Sequence, residues 1–381
     1  MRIAHPRSQN LVTETDAGPY RVLVVGPSWI GDMVMAQSLF MLLRERMPNA
    51  IIDVLAPSIT ASLLARMPEV DNAVRMEIGH REVALGKRRQ TARALAERGY
   101  DQAIVLQRSI KAALVPWLAG IPQRTGYLGE MRYGLINDVR SLDKDRYPRK
   151  VEHYALLGLA REGEALAELK HPELRIDTAR RAELVEALGL ETNRAAIGFA
   201  PGAAYGGAKQ WPATHFARLA AELDQRGIAC WIFGSAADRQ LAADLTAAAP
   251  KHGVNLCERT SLVDIADIAS LTDAFVGNDT GVMHLAAAAA PRVLAIYGST
   301  HPDYAPPLSN AEARFWLDLA CAPCRKRQCP LGHNACMRDI PVADVLRACL
   351  DPAARDIPSL HYARGSAPTP RTSSLQTNAL S

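Results

Sequence analysis

The chain has 381 residues, 48% hydrophobic and 22% charged, a globular balance with length enough for two α/β domains of ordinary size. Its formal net charge of +4 is too small to argue for nucleic-acid binding. Aromatic residues make up only 6%, so Ala, Leu and Val must fill most of the core.

Residues 1–19 are polar and irregular and read as a loose extension without the apolar stretch of a secretory signal. Arg21–Gly26 is a short apolar, β-branched run closed by Gly, the pattern of a buried parallel strand. A helix is expected from about Gly31 to Arg46, then a strand at Ile51–Ala56, a short helix ending near Met67 and a strand at Ala73–Ile78. A long basic helix over roughly Arg81–Arg98 and a strand at Asp101–Leu106 follow. Strands alternating with helices of this length imply βαβ units and a parallel sheet. From Gly129 to about Arg194 the pattern is less regular, with charged loops and helices near 152–162 and 178–188, and its end marks the domain linker.

A second alternating series opens with the strand Ala195–Gly202, continues with a helix from about Pro212 to Arg226, and adds strands at Ala229–Ser235, Val254–Glu258, Ala274–Asp279 and Arg292–Ser299. The Ser, Thr, Pro and Ala of the tail from about Ala354 to Ser381 have the composition of a disordered segment. The expected division is therefore 1–19, 20–190, 191–353 and 354–381. Two doubly wound α/β domains in tandem, each binding ligands at the carboxyl ends of its strands, would form a cleft. The most apolar stretch, Ala274–Ala290, is broken by Asp279 and falls short of the ~20 residues that span a bilayer. A cytoplasmic protein with at most peripheral membrane contact is expected.

Three strand-to-helix turns carry candidate chemistry. In Gly26–Asp32 (GPSWIGD), Asp32 falls in the first turn of a helix, placed either to take a proton from an acceptor hydroxyl or only to complement the helix dipole. Ser28, Trp29 and Gly31 beside it are the candidate acceptor contacts. The turn lacks G-x-G-x-x-G and is no dinucleotide fingerprint. In Ala200–Pro212 (APGAAYGGAKQWP), Gly202, Ala203, Gly206 and Gly207 would let backbone approach a phosphate, and Lys209 would neutralise a diphosphate; a flexible loop with a solvated Lys is the plainer reading. A P-loop is excluded, because Ala208 stands where its Lys belongs and no Ser or Thr follows Lys209. In Gly277–Ala290 (GNDTGVMHLAAAAA), Asp279, Thr280 and Gly281 open an Ala-rich helix whose free amides favour an anion, with His284 one turn in. Asp279 as an ordinary cap and His284 as a structural residue are the alternatives. Gly234 and Ser235 sit at a fourth such turn, in contact with a nucleotide or serving as a helix cap.

Of seven cysteines, Cys321, Cys324, Cys329 and Cys336 follow C-x2-C-x4-C-x6-C around His333. A structural zinc site, reduced thiols and disulfides all remain open, although an odd count argues against a disulfide framework. Basic residues cluster at Lys87, Arg88, Arg89 and Arg93 and at Lys144, Arg146, Arg149 and Lys150, as solvated faces or as a surface for an anionic lipid or glycan.

Together, GPSWIGDMVMAQSL, PGAAYGGAKQWP, GNDTGVMHLAAA and CPLGHNACM resemble the ADP-heptose–lipopolysaccharide heptosyltransferases of glycosyltransferase family 9, most nearly their type II branch, over about residues 21–350. The resemblance implies a GT-B fold: two Rossmann-like domains facing each other across a cleft, the first binding acceptor and the second the nucleotide sugar. It implies inverting transfer from ADP-L-glycero-D-manno-heptose to the first heptose of a Kdo–lipid A acceptor, at the cytoplasmic face of the inner membrane. It implies Asp32 as general base, with Lys209 and Asp279 on the donor side. No catalytic cofactor is expected, because Lys209 and the Thr280–Gly281 amides can hold the diphosphate. The rival readings are type I or III acceptor choice, another GT-B enzyme such as a nucleotide-sugar epimerase, and a zinc-bearing nucleic-acid binder.

Overall fold

The computed structural model describes residues 18–77, 84–351 and the strand at 360–362. They form two compact units, the first running to Lys170 except for Pro148–Lys150, which belong with the second, and the second from His171 onward.

The first unit contains β1 (Arg21–Val25), α1 (Ile30–Arg46), β2 (Ile51–Pro57), α2 (Ser58–Leu64), β3 (Asn72–Met76), α3 (Leu85–Ala96), β4 (Gln102–Val105), α4 (Ile110–Leu118), β5 (Gln123–Tyr127), β6 (Asp138–Arg140) and α5 (Lys150–Ala155). The strands pair in the order β3-β2-β1-β4-β5-β6, with every pairing parallel. β1 sits inside the sheet, its Val22 opposite Ile52 on one side and Gln102 on the other. Strand side chains alternate between faces. Leu23, Val25, Leu55, Ala103 and Val105 pack with Ala92 and Leu95 of α3 and with Ala112, Ala113 and Val115 of α4. The alternate residues Val22, Val24, Ile52 and Val54 are equally sealed from solvent. A strand buried on both faces has no solvated side, which is why these runs read as near-continuous apolar stretches, with the buried Asp53 of β2 held by Arg98 and Tyr100.

The second unit contains α6 (Thr178–Leu188), β7 (Ala196–Ala200), α7 (Ala213–Asp224), β8 (Ala229–Ile232), α8 (Arg239–Ala248), β9 (Gly253–Asn255), α9 (Leu262–Ala269), β10 (Ala274–Asn278), α10 (Gly281–Ala287), β11 (Val293–Ile296), β12 (Glu312–Leu317), α11 (Ala335–Arg338), α12 (Val342–Leu350) and β13 (Leu360–Tyr362). Its parallel sheet runs β13-β12-β11-β10-β7-β8-β9. α7 buries Phe216, Leu219, Ala220 and Leu223, the i, i+3, i+4, i+7 stripe of an amphipathic helix. Trp211 meets Phe216 edge-on at 4.9 Å and donates through Nε1 to the Ile340 carbonyl at 3.2 Å.

The fold class is the expected one: α/β, with two doubly wound parallel sheets. Four details differ from expectation. The division falls between Lys170 and His171 rather than at 190/191. The reason is α6: its cap residue Asp177 donates its amide to Asp267 at 2.9 Å, and Arg180 pairs with Asp264 at 3.1 Å, both on α9 of the second unit. Within the expected tail 354–381, Leu360–Tyr362 add an edge strand against β12; the rest lies outside the described residues, as does the expected extension except from Gly18 on. β5, β6 and β12 were not among the expected strands. The expected basic helix is confined to Leu85–Ala96, residues 81–83 lying outside the described range. Among the described residues no helix is long and apolar enough to cross a membrane.

Candidate functional site

In the first unit, β1 turns into α1 through Gly26, Pro27, Ser28 and Trp29, and Asp32 stands half-buried in the first turn of the helix. The turn is tight. A Cβ on Gly26 would lie 2.8 Å from Met33 Cε and 3.3 Å from the Leu55 carbonyl oxygen, so any larger residue would require the Met33 side chain to move aside. Gln107, at the carboxyl end of β4, donates to the Gly26 carbonyl at 2.8 Å and reaches Ser28 Oγ at 3.3 Å. Arg132 is fully buried and donates to the carbonyls of Gln107 at 2.6 Å, Ser109 at 3.2 Å and Tyr127. Burial, reinforced by the nearby Arg108 charge, pushes its guanidinium down to about 10. Gln107 and Arg132 were not anticipated from sequence. They brace the turn that presents Asp32, and nothing in their local patterns marks them. Trp29 is exposed and Ser28 and Ile30 are half-exposed around the same turn, while Gly31 is buried.

In the second unit, the Gly-rich loop and the β10–α10 turn come together. Lys209 Nζ donates to Asp279 Oδ2 at 2.5 Å and to the Asp279 carbonyl at 3.4 Å. Both side chains are nearly buried, at 12% and 6% exposed. Thr300 donates its hydroxyl to the same Oδ2, and His284 Nε2 faces Oδ1 at 3.7 Å. Burial pushes the Asp279 carboxyl up, but His284 and the Lys209 charge outweigh it and hold the acid well below the usual carboxylate range. Asp279 is therefore an anion that fixes Lys209, rather than a cap: Thr280 is the cap residue of α10, and neither it nor Asp279 makes a side-chain cap bond there. An ammonium has three N–H donors. Asp279 engages Nζ through both its carboxylate and its carbonyl oxygen. The solvated-lysine reading is excluded by the burial. The Tyr205 ring lies 5.0 Å from Nζ.

Asn278 is the residue that sequence reasoning passed over beside Asp279. Its Oδ1 accepts from the Trp211 amide at 3.0 Å, and its Nδ2 donates to the carbonyls of Pro201 at 2.8 Å and Gly202 at 3.3 Å. One side chain thus closes both ends of the loop Pro201–Trp211. Gly202 and Ala203 are half-exposed at its start, and a Cβ on Gly202 would strike the Asp238 carboxylate. The Ser235 hydroxyl and amide both donate to Asp238 Oδ2 at 2.9 Å, the capping box at the turn that Gly234 and Ser235 open. Thr280 and Gly281 are half-exposed at the head of α10; His284 is buried.

The four clustered cysteines are brought together. Cys321, Cys324, Cys329 and Cys336 line one small cavity with His333, Asn334 and Ala208. All are free thiols, so the disulfide alternative is not realised. Among the described residues, no three metal-capable side chains converge on a point as they stand. Amides of Asn334, Leu331, Gly332 and His333 are directed at Cys329 and hold its thiol below the ordinary value, while burial pushes Cys336 up to about 11. Of the basic clusters, Lys87, Arg89, Arg93, Lys144 and Arg146 are exposed, but Arg88 is buried and donates to the Lys111 carbonyl at 2.9 Å. It is a structural residue and no part of a surface patch.

Residues 88–335 match glycosyltransferase family 9 (heptosyltransferase). The chain is 42% identical to lipopolysaccharide heptosyltransferase 2 of Escherichia coli strain K12 over 335 residues, covering 86% of this chain and 96% of that protein. Its fold is similar to the solved structure of E. coli ADP-heptose lps heptosyltransferase II, with a TM-score of 0.76, 40% identity, and 86% and 96% of the two chains covered. A second E. coli heptosyltransferase, solved with ADP-2-deoxy-2-fluoro heptose, shares the fold at 19% identity with a TM-score of 0.64, over 86% of this chain and 99% of that one.

Proposed function

Because the chain belongs to glycosyltransferase family 9, the heptosyltransferases, we propose that it transfers L-glycero-D-manno-heptose from ADP-heptose to the first heptose of a lipopolysaccharide inner core. It is a glycosyltransferase of the GT-B class. The donor, the acceptor and the roles of individual residues are the proposed part. The observation that carries them is the buried Lys209–Asp279 pair at 2.5 Å: a lysine held on a Gly-rich loop. The name of the relative that is 42% identical, and the nucleotide sugar held by the more distant one, support this choice of sugar and donor.

The reaction is a single displacement with inversion. Asp32 accepts the proton of the acceptor hydroxyl as its oxygen attacks the anomeric carbon. The bond from that carbon to the diphosphate oxygen breaks, and the electron pair leaves with ADP. Charge grows on the diphosphate in the transition state, where Lys209 and the Thr280–Gly281 backbone meet it. A fixed donor at such a position contributes about 3 kcal/mol, because it needs no reorganisation as the charge develops. Lys209 supplies the charge that a divalent ion supplies elsewhere, so no metal is assigned to the reaction centre. Buried Asp279 is excluded from direct contact with the diphosphate by its own charge; its role is to orient Lys209. The exposed Lys144, Arg146, Arg89 and Arg93 offer a peripheral contact to the anionic cytoplasmic face of the inner membrane.

The test is transfer from ADP-heptose to a series of truncated acceptors. Kdo–lipid A carrying one heptose is expected to accept, and Kdo–lipid A without heptose or with a completed heptose pair is not. Preference for the heptose-free acceptor would reassign the chain to type I specificity. Turnover of ADP-heptose without any acceptor sugar would favour an epimerase.

A further inference from the structure

Residues 318–334 carry no helix or strand between β12 and α11, yet they pack on the loop that holds Lys209. Structureless segments longer than about 12–15 residues are uncommon in compact domains and need something to fix them. The contacts between the two loops are specific. The Ala208 amide donates to the Arg327 carbonyl at 3.1 Å, Asn334 Nδ2 to the Gly207 carbonyl at 3.2 Å, and Tyr205 OH to the Arg325 carbonyl at 3.0 Å. Ala208 itself borders the cavity lined by the four thiols. That cavity, of about 20 Å³, has room for one ion or one water.

We propose that Cys321, Cys324, Cys329 and Cys336 hold one thiophilic divalent cation of the zinc class, and that this ion fastens residues 318–334 against the Lys209 loop. Three observations carry it. Four sulfurs border one ion-sized cavity, and a set of four thiolates selects zinc or iron over harder cations. The loop that bears these cysteines is tied to the Lys209 loop by the Ala208–Arg327, Asn334–Gly207 and Tyr205–Arg325 hydrogen bonds, so an ion in the cavity would sit where the two loops meet. Arg325, Lys326 and Arg327 lie within the same loop and offset the two negative charges that a divalent ion with four thiolates retains. The sulfurs line the cavity without converging on it. Convergence is what ligation adds, because metal binding and local ordering are coupled. Each cysteine loses one proton on binding, and no oxidant or reductant is involved. The inference does not rest on the transfer reaction, since metal content and loop protection are read without any substrate.

The experiment uses the full chain, purified under reductant from medium supplied with zinc and iron, with both metals measured by mass spectrometry. About one ion per chain is expected, released when a mercurial thiol reagent has consumed about four thiols. Cys329→Ser with Cys336→Ser is expected to purify without it. In case that variant does not fold, the native protein is stripped and reloaded, and amide hydrogen exchange is followed at residues 205–210. Stripping is expected to speed exchange at the Ala208 amide at least ~tenfold, with reloading restoring it. Zinc reloading without iron reloading would identify the ion as zinc, and the converse as iron; either supports the proposal. A native chain with less than ~0.1 ion and four freely alkylated thiols would overturn the site. Unchanged exchange at Ala208 on stripping would overturn the fastening.

Discussion

At the scale of single residues, Lys209 and Asp279 depend on each other. Two buried charges held at 2.5 Å tolerate burial only as a pair, and removing one partner leaves the other uncompensated at a cost of about 3–5 kcal/mol. Asp279→Asn is expected to lower unfolding stability by that order, measured by urea denaturation near neutral pH. The pH dependence has a definite sign. The folded carboxyl is held below its ordinary value, so its contribution is fully present above about pH 4 and is lost as pH falls toward the depressed folded value. Native protein should therefore lose stability more steeply on acidification than Asp279→Asn; parallel acid limbs would show that the carboxylate is not held down. Lys209→Met should cost kcat roughly 100-fold, from the loss of about 3 kcal/mol of transition-state stabilisation. If only the KM for ADP-heptose rises, Lys209 merely binds the donor. Lys209 and Asp32 could be singled out as candidates in the sequence because each follows closely on an apolar strand. Asn278, Gln107 and Arg132 were not, because side chains that bond to backbone carbonyls leave no periodic or compositional trace.

At the scale of elements, what could be read was what has a period or a punctuation mark. β1 and β4 hold apolar runs, β2 one interrupted only by Asp53, and α7 shows its stripe openly. β5 has the sequence QRTGY and is half polar; it becomes a strand because β4 supplies its ladder and because Thr125 bonds Asp138 of β6 at 2.8 Å. Such tertiary pairing overrides local preference. α6 was read correctly as a helix but placed in the wrong unit, since its ties to α9 run through Asp177 and Arg180, both ordinary surface types in sequence. The loop from Pro201 to Trp211 depends on close approach. Gly206 has φ of +146°, and a Cβ there would strike the Arg327 carbonyl. Gly206→Ala is expected to push the two loops apart, cost about 1–3 kcal/mol in thermal or urea unfolding, and weaken ADP binding while leaving the β1–α1 turn intact. Native-like ADP affinity in that variant would mean that the loop's contact with Arg327 does not set the position of Lys209.

At the scale of the whole molecule, alternation of strands and helices was enough to give two doubly wound sheets, and the motif spacing was enough to give the family. The boundary between units and the edge strand at 360–362 were not readable, because both are set by partners distant in sequence. In the proposed reaction Asp32 of the first unit serves as the base and Lys209 of the second meets the departing diphosphate. The most direct measurement compares native protein with Asp32→Ala, following ADP-heptose binding by calorimetry and heptose transfer to the one-heptose acceptor side by side. Donor affinity is expected to stay within about twofold, while the transfer rate falls at least ~100-fold, the low end of a general-base contribution. Transfer at near-native rate by Asp32→Ala would contradict the account.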